Sequence, residues 1–136
     1  MKTTNYVNTF IGIAGDCPVD AGIVPPLKSG APTIARMQFD MIWNHPYQYT
    51  SDDVIFTVHA IKNQVPKEEL ENERTKFFLK GQPCLRSSPL GKRYGWGVHN
   101  DENGKVAIYS AGSAGYETRK NDQTLAHVKA MRSKRK

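Results

Sequence analysis

The chain has 136 residues, of which 38% are apolar and 24% are charged, a balance typical of one globular domain rather than of a disordered segment. No apolar run reaches the roughly 18 residues that a membrane-spanning helix needs, and the N-terminal residues lack the apolar core of a secretory signal. Cys17 and Cys84 are too few for a disulfide framework, and neither has the Cys/His spacing of a zinc site. We therefore expect a cytoplasmic protein that has no metal site and no cofactor.

The net charge of +6 is concentrated at the C-terminus. Residues 119–136 contain seven basic residues and one acidic residue, a difference of +6, and the rest of the chain is balanced. In addition, residues 74–100 contain six basic residues and no acidic one. A basic tail at 132–136 together with this acid-free segment predicts an anionic polymer such as RNA as one partner, although a solvated terminus has the same composition.

In the first half of the chain, residues 8–14 favour a strand, and the proline-rich residues 18–32 favour an irregular loop. Apolar residues then recur at helical spacing from Thr33, and Pro46 ends this helix. In the stretch VIFTVHAIK, residues 54–62, apolar residues occupy both alternating sets of positions, which predicts a central strand.

The second half begins with a helix at Pro66, whose first turns are rich in glutamate. The elements predicted after it are a short strand at 84–86, a hairpin of 93–100 and 105–110, a helix at 113–121, and a strand, rather than a helix, at 124–131. This order predicts a single α+β domain over 1–136, with a largely antiparallel sheet of five to six strands and two to three helices mainly on one face.

The most unusual stretch is KGQPCLRSSPLGKRYGWGVHN, residues 80–100. On a strand, Gly95 and Gly97 share one face with His99 and leave it bare, which allows either a ligand groove or the close packing of a helix. We expect Val106 and Ile108 on that same face, next to the helix that carries Phe77 and Phe78.

Basic and hydroxyl side chains crowd the same stretch, and they favour a bound phosphate or carboxylate. We predict that segment 84–99 binds an anionic small molecule, with Tyr94 or Trp96 available to stack on a ring. The predicted ligand-binding residues are Arg86, Ser87, Ser88, Lys92, Arg93 and Trp96.

Cys84 and His99 are candidate catalytic residues. A thiolate at Cys84 stabilised by nearby cations would allow thiol-dependent catalysis, and His99 has the right chemistry for an acid or base near neutral pH. Each also has a structural alternative, since free cysteines are usually buried and isolated histidines are often only hydrogen-bonded. A module for protein–protein interaction, without chemistry, is a further alternative.

Four segments together resemble a bacterial family known only as a domain of unknown function: NTFIGIAGDCP, YTSDDVIF, KGQPCLRSSPLGKRYGWGVH and AMRSKR. The resemblance covers nearly the whole chain. It implies a small, stand-alone, intracellular bacterial protein, and it implies no activity, cofactor or catalytic residue.

Overall fold

A computed structural model describes residues 2–134 of the chain. Six strands and five α-helices follow one another in this part of the chain: β1 (Thr9–Gly12), β2 (Leu27–Lys28), β3 (Ala31–Pro32), α1 (Ile34–Asn44), α2 (Ser51–Lys62), α3 (Leu70–Phe77), α4 (Pro89–Lys92), β4 (Trp96–Asn100), β5 (Val106–Ser110), α5 (Ala114–Lys120) and β6 (Ala126–Lys129).

The main sheet has four strands in the order β5-β4-β1-β6. The two pairs β4–β5 and β1–β4 are antiparallel, and β1–β6 is parallel. The α+β class, the largely antiparallel sheet and the strand at 126–129 are therefore confirmed. The predicted five to six strands in one sheet are wrong, because β2 and β3 pair only with each other, inside the loop expected to be irregular. The helices also number more than the expected two to three in the described residues.

One face of the sheet carries the main core. Ile11, Val98 and Ile108 project from three neighbouring strands and pack against Phe39 and Ile42 of α1. Helix α1 begins where expected, since the Thr33 hydroxyl accepts a hydrogen bond from the N–H of Arg36 and caps the first turn. This face positions α1, and α1 in turn forms one wall of the site described below.

Helix α5 lies on the opposite face of the sheet. Its Tyr116 ring packs edge-on against Phe10 of β1, with 5.0 Å between the ring centroids, and its hydroxyl accepts a hydrogen bond from the N–H of Ile13. Both faces of the sheet are thus covered by helix.

The predicted strand at 54–62 is wrong, since these residues belong to α2. Thr50 and Asp53 form a capping box at its start, each side chain bonding to the other's backbone N–H. The helix lies between two apolar clusters: Val54 faces the main core, whereas Phe56 and Ala60 face Phe78. A helix packed on two sides buries residues at alternate positions, which is why its pattern imitates that of a central strand.

The predicted strand at 84–86 is also wrong. Residues 85–87 form a 3-10 turn, and α4 follows at once. The Ser88 hydroxyl accepts from the N–H of Leu90, and Pro89 occupies the first helical position. Ser-Pro therefore begins a helix here, as its capping chemistry allows.

The β4–β5 hairpin is confirmed, but its predicted register is wrong. Asn100 pairs with Val106 and Val98 with Ile108, so the connection contains an odd number of residues rather than two or four. Gly104 takes a φ of +77° in this connection, which is the conformation that glycine adopts at little cost. A register shift of one residue moves every side chain of a strand to the other face of the sheet. The side chains of Val106 and Ile108 therefore project from the face that Gly97 does not share.

Candidate functional site

The glycine pair of the hairpin is covered by the protein itself: Gly97 by a helix, as the helix-packing alternative expected, and Gly95 by a loop. A Cβ atom on Gly97 would lie 2.6 Å from both the Phe10 and the Tyr116 rings. The helix is α5, however, and not α3. Gly95 precedes the strand with a φ of +79°, and a Cβ there would meet the backbone carbonyl of Ala21. The bare patch expected on this face does not exist as a groove.

Three of the predicted ligand-binding residues contact other parts of the chain. Arg86 donates from Nε to the carbonyl oxygen of Lys129, at 2.9 Å, and Ser87 donates to the sulfur of Met131. The ring of Trp96 is buried against Phe39 (5.2 Å between centroids), and its Nε1 donates to the carbonyl of Ile23. Trp96 is therefore not exposed for stacking on a ligand.

Arg93 lies elsewhere, at a cleft of about 410 Å³. Its side chain lines this cleft together with Lys28 from β2 and Lys62 from the last turn of α2. No acidic residue lines the cleft, and none of the three cations has an ion pair within residues 2–134. We call this space the cation cleft; it is completed by Ala31, Pro32, Thr33, Ile34, Ala35, Pro89 and Tyr94.

The first turn of α1 forms one wall of the cation cleft. The N–H groups of Ile34 and Ala35 have no acceptor among the described residues, as is usual for the first groups of a helix. They form the positive end of the α1 dipole, which adds to the positive charge of the neighbouring side chains.

A second cavity of about 550 Å³ adjoins the cation cleft, and we call it the amide cavity. Ile34, Lys62 and Pro89 line both spaces. Seven further residues with polar side chains line the amide cavity: Gln38, His59, Asn63, Gln82, Cys84, Ser87 and Ser88. The structure thus places Arg93 in one space, Ser87 and Ser88 in the adjoining one, and Lys92 in neither.

Cys84 is half-buried at the wall of the amide cavity. The hydroxyl of Tyr6 lies 3.7 Å from its sulfur. Burial, followed by the contact with Cys84, raises the pKa of Tyr6 above its usual value of 10.0. Tyr6 is therefore a neutral phenol at physiological pH. Catalysis by Cys84 stays a prediction.

His99 lies on the other face of the sheet, in a hydrogen-bonded group that we call the tyrosine–histidine cluster: Tyr47, His99, Tyr109 and Arg119. The Tyr47 hydroxyl lies 2.7 Å from Nδ1 of His99 and 2.7 Å from the hydroxyl of Tyr109. Tyr47 takes a φ of +60°, a strained value for a residue that is not glycine. The guanidinium of Arg119 stacks 3.9 Å from the centre of the Tyr109 ring.

Burial shifts the titration of this cluster. It lowers the pKa of His99, and the charge of Arg119 lowers it further. Burial and the contact with Tyr47 raise the pKa of Tyr109 to about 12. His99 and Tyr109 are therefore uncharged at neutral pH, and the hydroxyls of Tyr47 and Tyr109 already have partners within the protein.

Three of the cations of residues 74–100 have different surroundings. Arg74 bonds to Asp53 at 2.9 Å, while Arg86 and Arg93 lie at the separate places given above. In the tail, the N–H groups of Ser133 and Lys134 donate to Asp16, and these bonds lower the pKa of that carboxyl. Residues 135 and 136 of the predicted basic tail lie outside the described part of the chain, and RNA binding stays a prediction.

Sequence reasoning missed Lys28, Lys62 and Gln38. Lys28 lies in the proline-rich loop, and Lys62 lies at the end of a helix whose pattern resembled a strand. Gln38 is an ordinary polar residue within α1, and nothing in its neighbourhood distinguishes it. Only the packing of α1 between these segments brings the three together.

Within residues 2–134, no helix is both long and apolar enough to cross a bilayer. The same residues contain no cluster of three or more His, Cys, Asp or Glu side chains placed to hold a metal ion.

The fold and the site define a small α+β protein with a cation-lined cleft beside a four-stranded sheet. Its sequence matches the model of a family of unknown function, DUF6157, over residues 1–136. The chain therefore belongs to that family, as its resemblance indicated. Comparison with curated proteins and with solved structures gave no match.

Proposed function

We propose that this protein binds an anionic small molecule, with a carboxylate or phosphate group, in the cation cleft. The observation that carries the proposal is the meeting of Lys28, Lys62 and Arg93, from three separate elements, in one cleft without an acidic residue. Three cations that line one concavity create a positive potential there, which favours a bound anion.

The walls of the cleft support the same proposal. Pro32, Ile34 and Pro89 are apolar, and low-dielectric walls strengthen the attraction between a cation and a bound anion. Arg93 can bind a carboxylate or phosphate through two parallel hydrogen bonds. The free N–H groups at the start of α1 add donors of the kind that bind anions at helix N-termini.

Two features limit the class of ligand. The apolar wall and the ring of Tyr94 suit a ligand with a hydrocarbon portion, rather than a bare inorganic ion. The volume of about 410 Å³ suits a small molecule and not a folded partner. RNA binding, thiol chemistry at Cys84 and a purely protein-binding role stay predictions, since no contact within the described residues favours one of them.

The test is calorimetric titration with sodium hexanoate, hexyl phosphate and the neutral analogue 1-hexanol. We expect the two anions to bind and hexanol not to bind. Arg93→Ala should weaken hexyl phosphate binding about tenfold, because a hydrogen bond to a charged group contributes about 1.5 kcal/mol or more.

The matched control is Lys80→Ala, which removes an exposed cation outside the cleft. It should leave the affinity for hexyl phosphate unchanged. Equal binding of hexanol and hexanoate, or equal losses in Arg93→Ala and Lys80→Ala, would rule out the proposal.

A further inference from the structure

We infer that the ligand extends from the cation cleft into the amide cavity and presents a carbonyl oxygen to Gln38 there. The inference rests on the proposed function and names the ligand class more closely: an organic anion that carries an amide, ester or ketone carbonyl beyond an apolar portion. Two features of the molecule support it: the orientation of one buried amide and the walls that the two spaces share.

The orientation of the Gln38 amide follows from Ser88. The Ser88 hydroxyl oxygen accepts a hydrogen bond from the N–H of Leu90, and its own hydrogen is donated to Oε1 of Gln38. The structure thus has Oε1 of Gln38 facing Ser88. Its NH₂ group is directed elsewhere.

That NH₂ group has no acceptor among the described residues. Gln38 is only 7% exposed, yet its Nε2 does not belong to the fully buried polar atoms that lack a partner, which are Asn100 Oδ1 and Arg119 Nε. The nitrogen is thus not fully enclosed, and Gln38 lines the amide cavity. Because this donor has no protein acceptor, a carbonyl oxygen of a ligand can accept a hydrogen bond from it.

Gln82 lines the same cavity and differs in this respect. Its NH₂ group donates to the carbonyl oxygen of Phe77 at 2.7 Å. The NH₂ group of Gln82 is therefore bonded within the fold, whereas the NH₂ group of Gln38 is available to a ligand.

The two spaces adjoin each other at Ile34, Lys62 and Pro89, which line both. Two of these three residues are apolar, so the path between the anion site and Gln38 favours hydrocarbon over polar groups. A ligand that fits the whole site has an anionic end, an apolar middle and a neutral hydrogen-bond acceptor. No acidic side chain lines either space.

The test compares keto acids with plain acids of the same length. The pairs are 4-oxopentanoate with pentanoate, 5-oxohexanoate with hexanoate and 7-oxooctanoate with octanoate, all measured by calorimetric titration. We expect the keto acid to bind about threefold to tenfold more tightly in at least one pair, as one neutral hydrogen bond allows.

Two variants locate the effect. Gln38→Glu keeps an acceptor for Ser88 and removes the NH₂ donor, so the ratio of keto-acid to plain-acid affinity should fall to about one. Gln38→Met should give the same ratio without adding a charge. The matched control Gln82→Glu should keep the ratio of the unmodified protein, because that amide is already bonded to Phe77.

The outcomes separate the two proposals. If no acid binds in a manner that depends on Arg93, both the anion site and this inference fail. If the acids bind but no pair favours the keto acid, or the preference persists in both Gln38 variants, the anion site stands and the inference is overturned.

Discussion

The cation cleft and the tyrosine–histidine cluster are both rich in polar side chains, yet they use them in opposite ways. In the cluster, each hydroxyl bonds to a neighbour, with distances of 2.7 Å from Tyr47 to His99 and to Tyr109. In the cleft, Lys28, Lys62 and Arg93 share one charge sign and have no partner in the described residues.

This difference separates structural polar groups from groups that are available for binding. The hydroxyl bonds inside the cluster rigidify the fold and contribute to stability. Unpaired cations at a concavity contribute nothing to stability by themselves, and their effect is seen only when an anion binds. Stability measurements and binding measurements should therefore respond to different sets of residues.

The largest expected effect concerns the closed face of the sheet. Gly97→Ala places a Cβ atom 2.6 Å from two aromatic rings, and overpacking of this kind costs about 1–3 kcal/mol. We expect the free energy of unfolding, measured by urea denaturation, to fall by that amount. A matched control is Gly81→Ala, because a Cβ atom there meets nothing within 4 Å; a loss in Gly81→Ala equal to that in Gly97→Ala would contradict the packing of α5 described here.

A smaller effect is expected in the tyrosine–histidine cluster. Tyr47→Phe removes the hydroxyl that bonds to both His99 and Tyr109, and two net hydrogen bonds contribute about 1–2 kcal/mol. Denaturation should show this loss. Tyr49→Phe is the control, since the half-buried Tyr49 hydroxyl has no bonding partner in residues 2–134; its free energy of unfolding should change by less than about 0.5 kcal/mol.

The smallest effect is expected in the cation cleft. Arg93→Ala should change the free energy of unfolding by less than about 0.5 kcal/mol, because an exposed and unpaired cation makes no stabilising contact. Arg74→Ala is the comparison: it breaks the bond to Asp53 and the packing over Phe56, and it should cost about 0.5–1 kcal/mol. If Arg93→Ala destabilised the protein more than Arg74→Ala, Arg93 would be a structural residue.

Local patterns predicted several of the elements correctly. The β4–β5 hairpin, α1, α5 and β6 follow from turn residues, capping residues and apolar spacing. The prediction for 54–62 was wrong because Phe56 and Val54 face two different clusters. The register was wrong because an odd connection with glycine at position 104 leaves no distinct signal in the sequence.

The candidate site could be predicted only in part. Arg93, Ser87 and Ser88 were in the predicted group and line the two adjoining spaces. Arg86, Lys92 and Trp96 were in the same group, but the fold directs Arg86 to the carbonyl of Lys129 and buries Trp96. Residues that are close in the chain need not share a cavity, because a short helix such as α4 turns successive side chains in different directions.

The sequence by itself determined the α+β class, the hairpin, the starts of α1 and α5, and the family, since these depend on spacing and on capping within a few residues. The tertiary structure alone decided that Lys28, Lys62 and Arg93 line one cleft. It also decided that the NH₂ group of Gln38 lacks an acceptor among the described residues. The physical reason is that a cavity lies where packed elements fail to fill space. Its position depends on contacts between segments far apart in the chain.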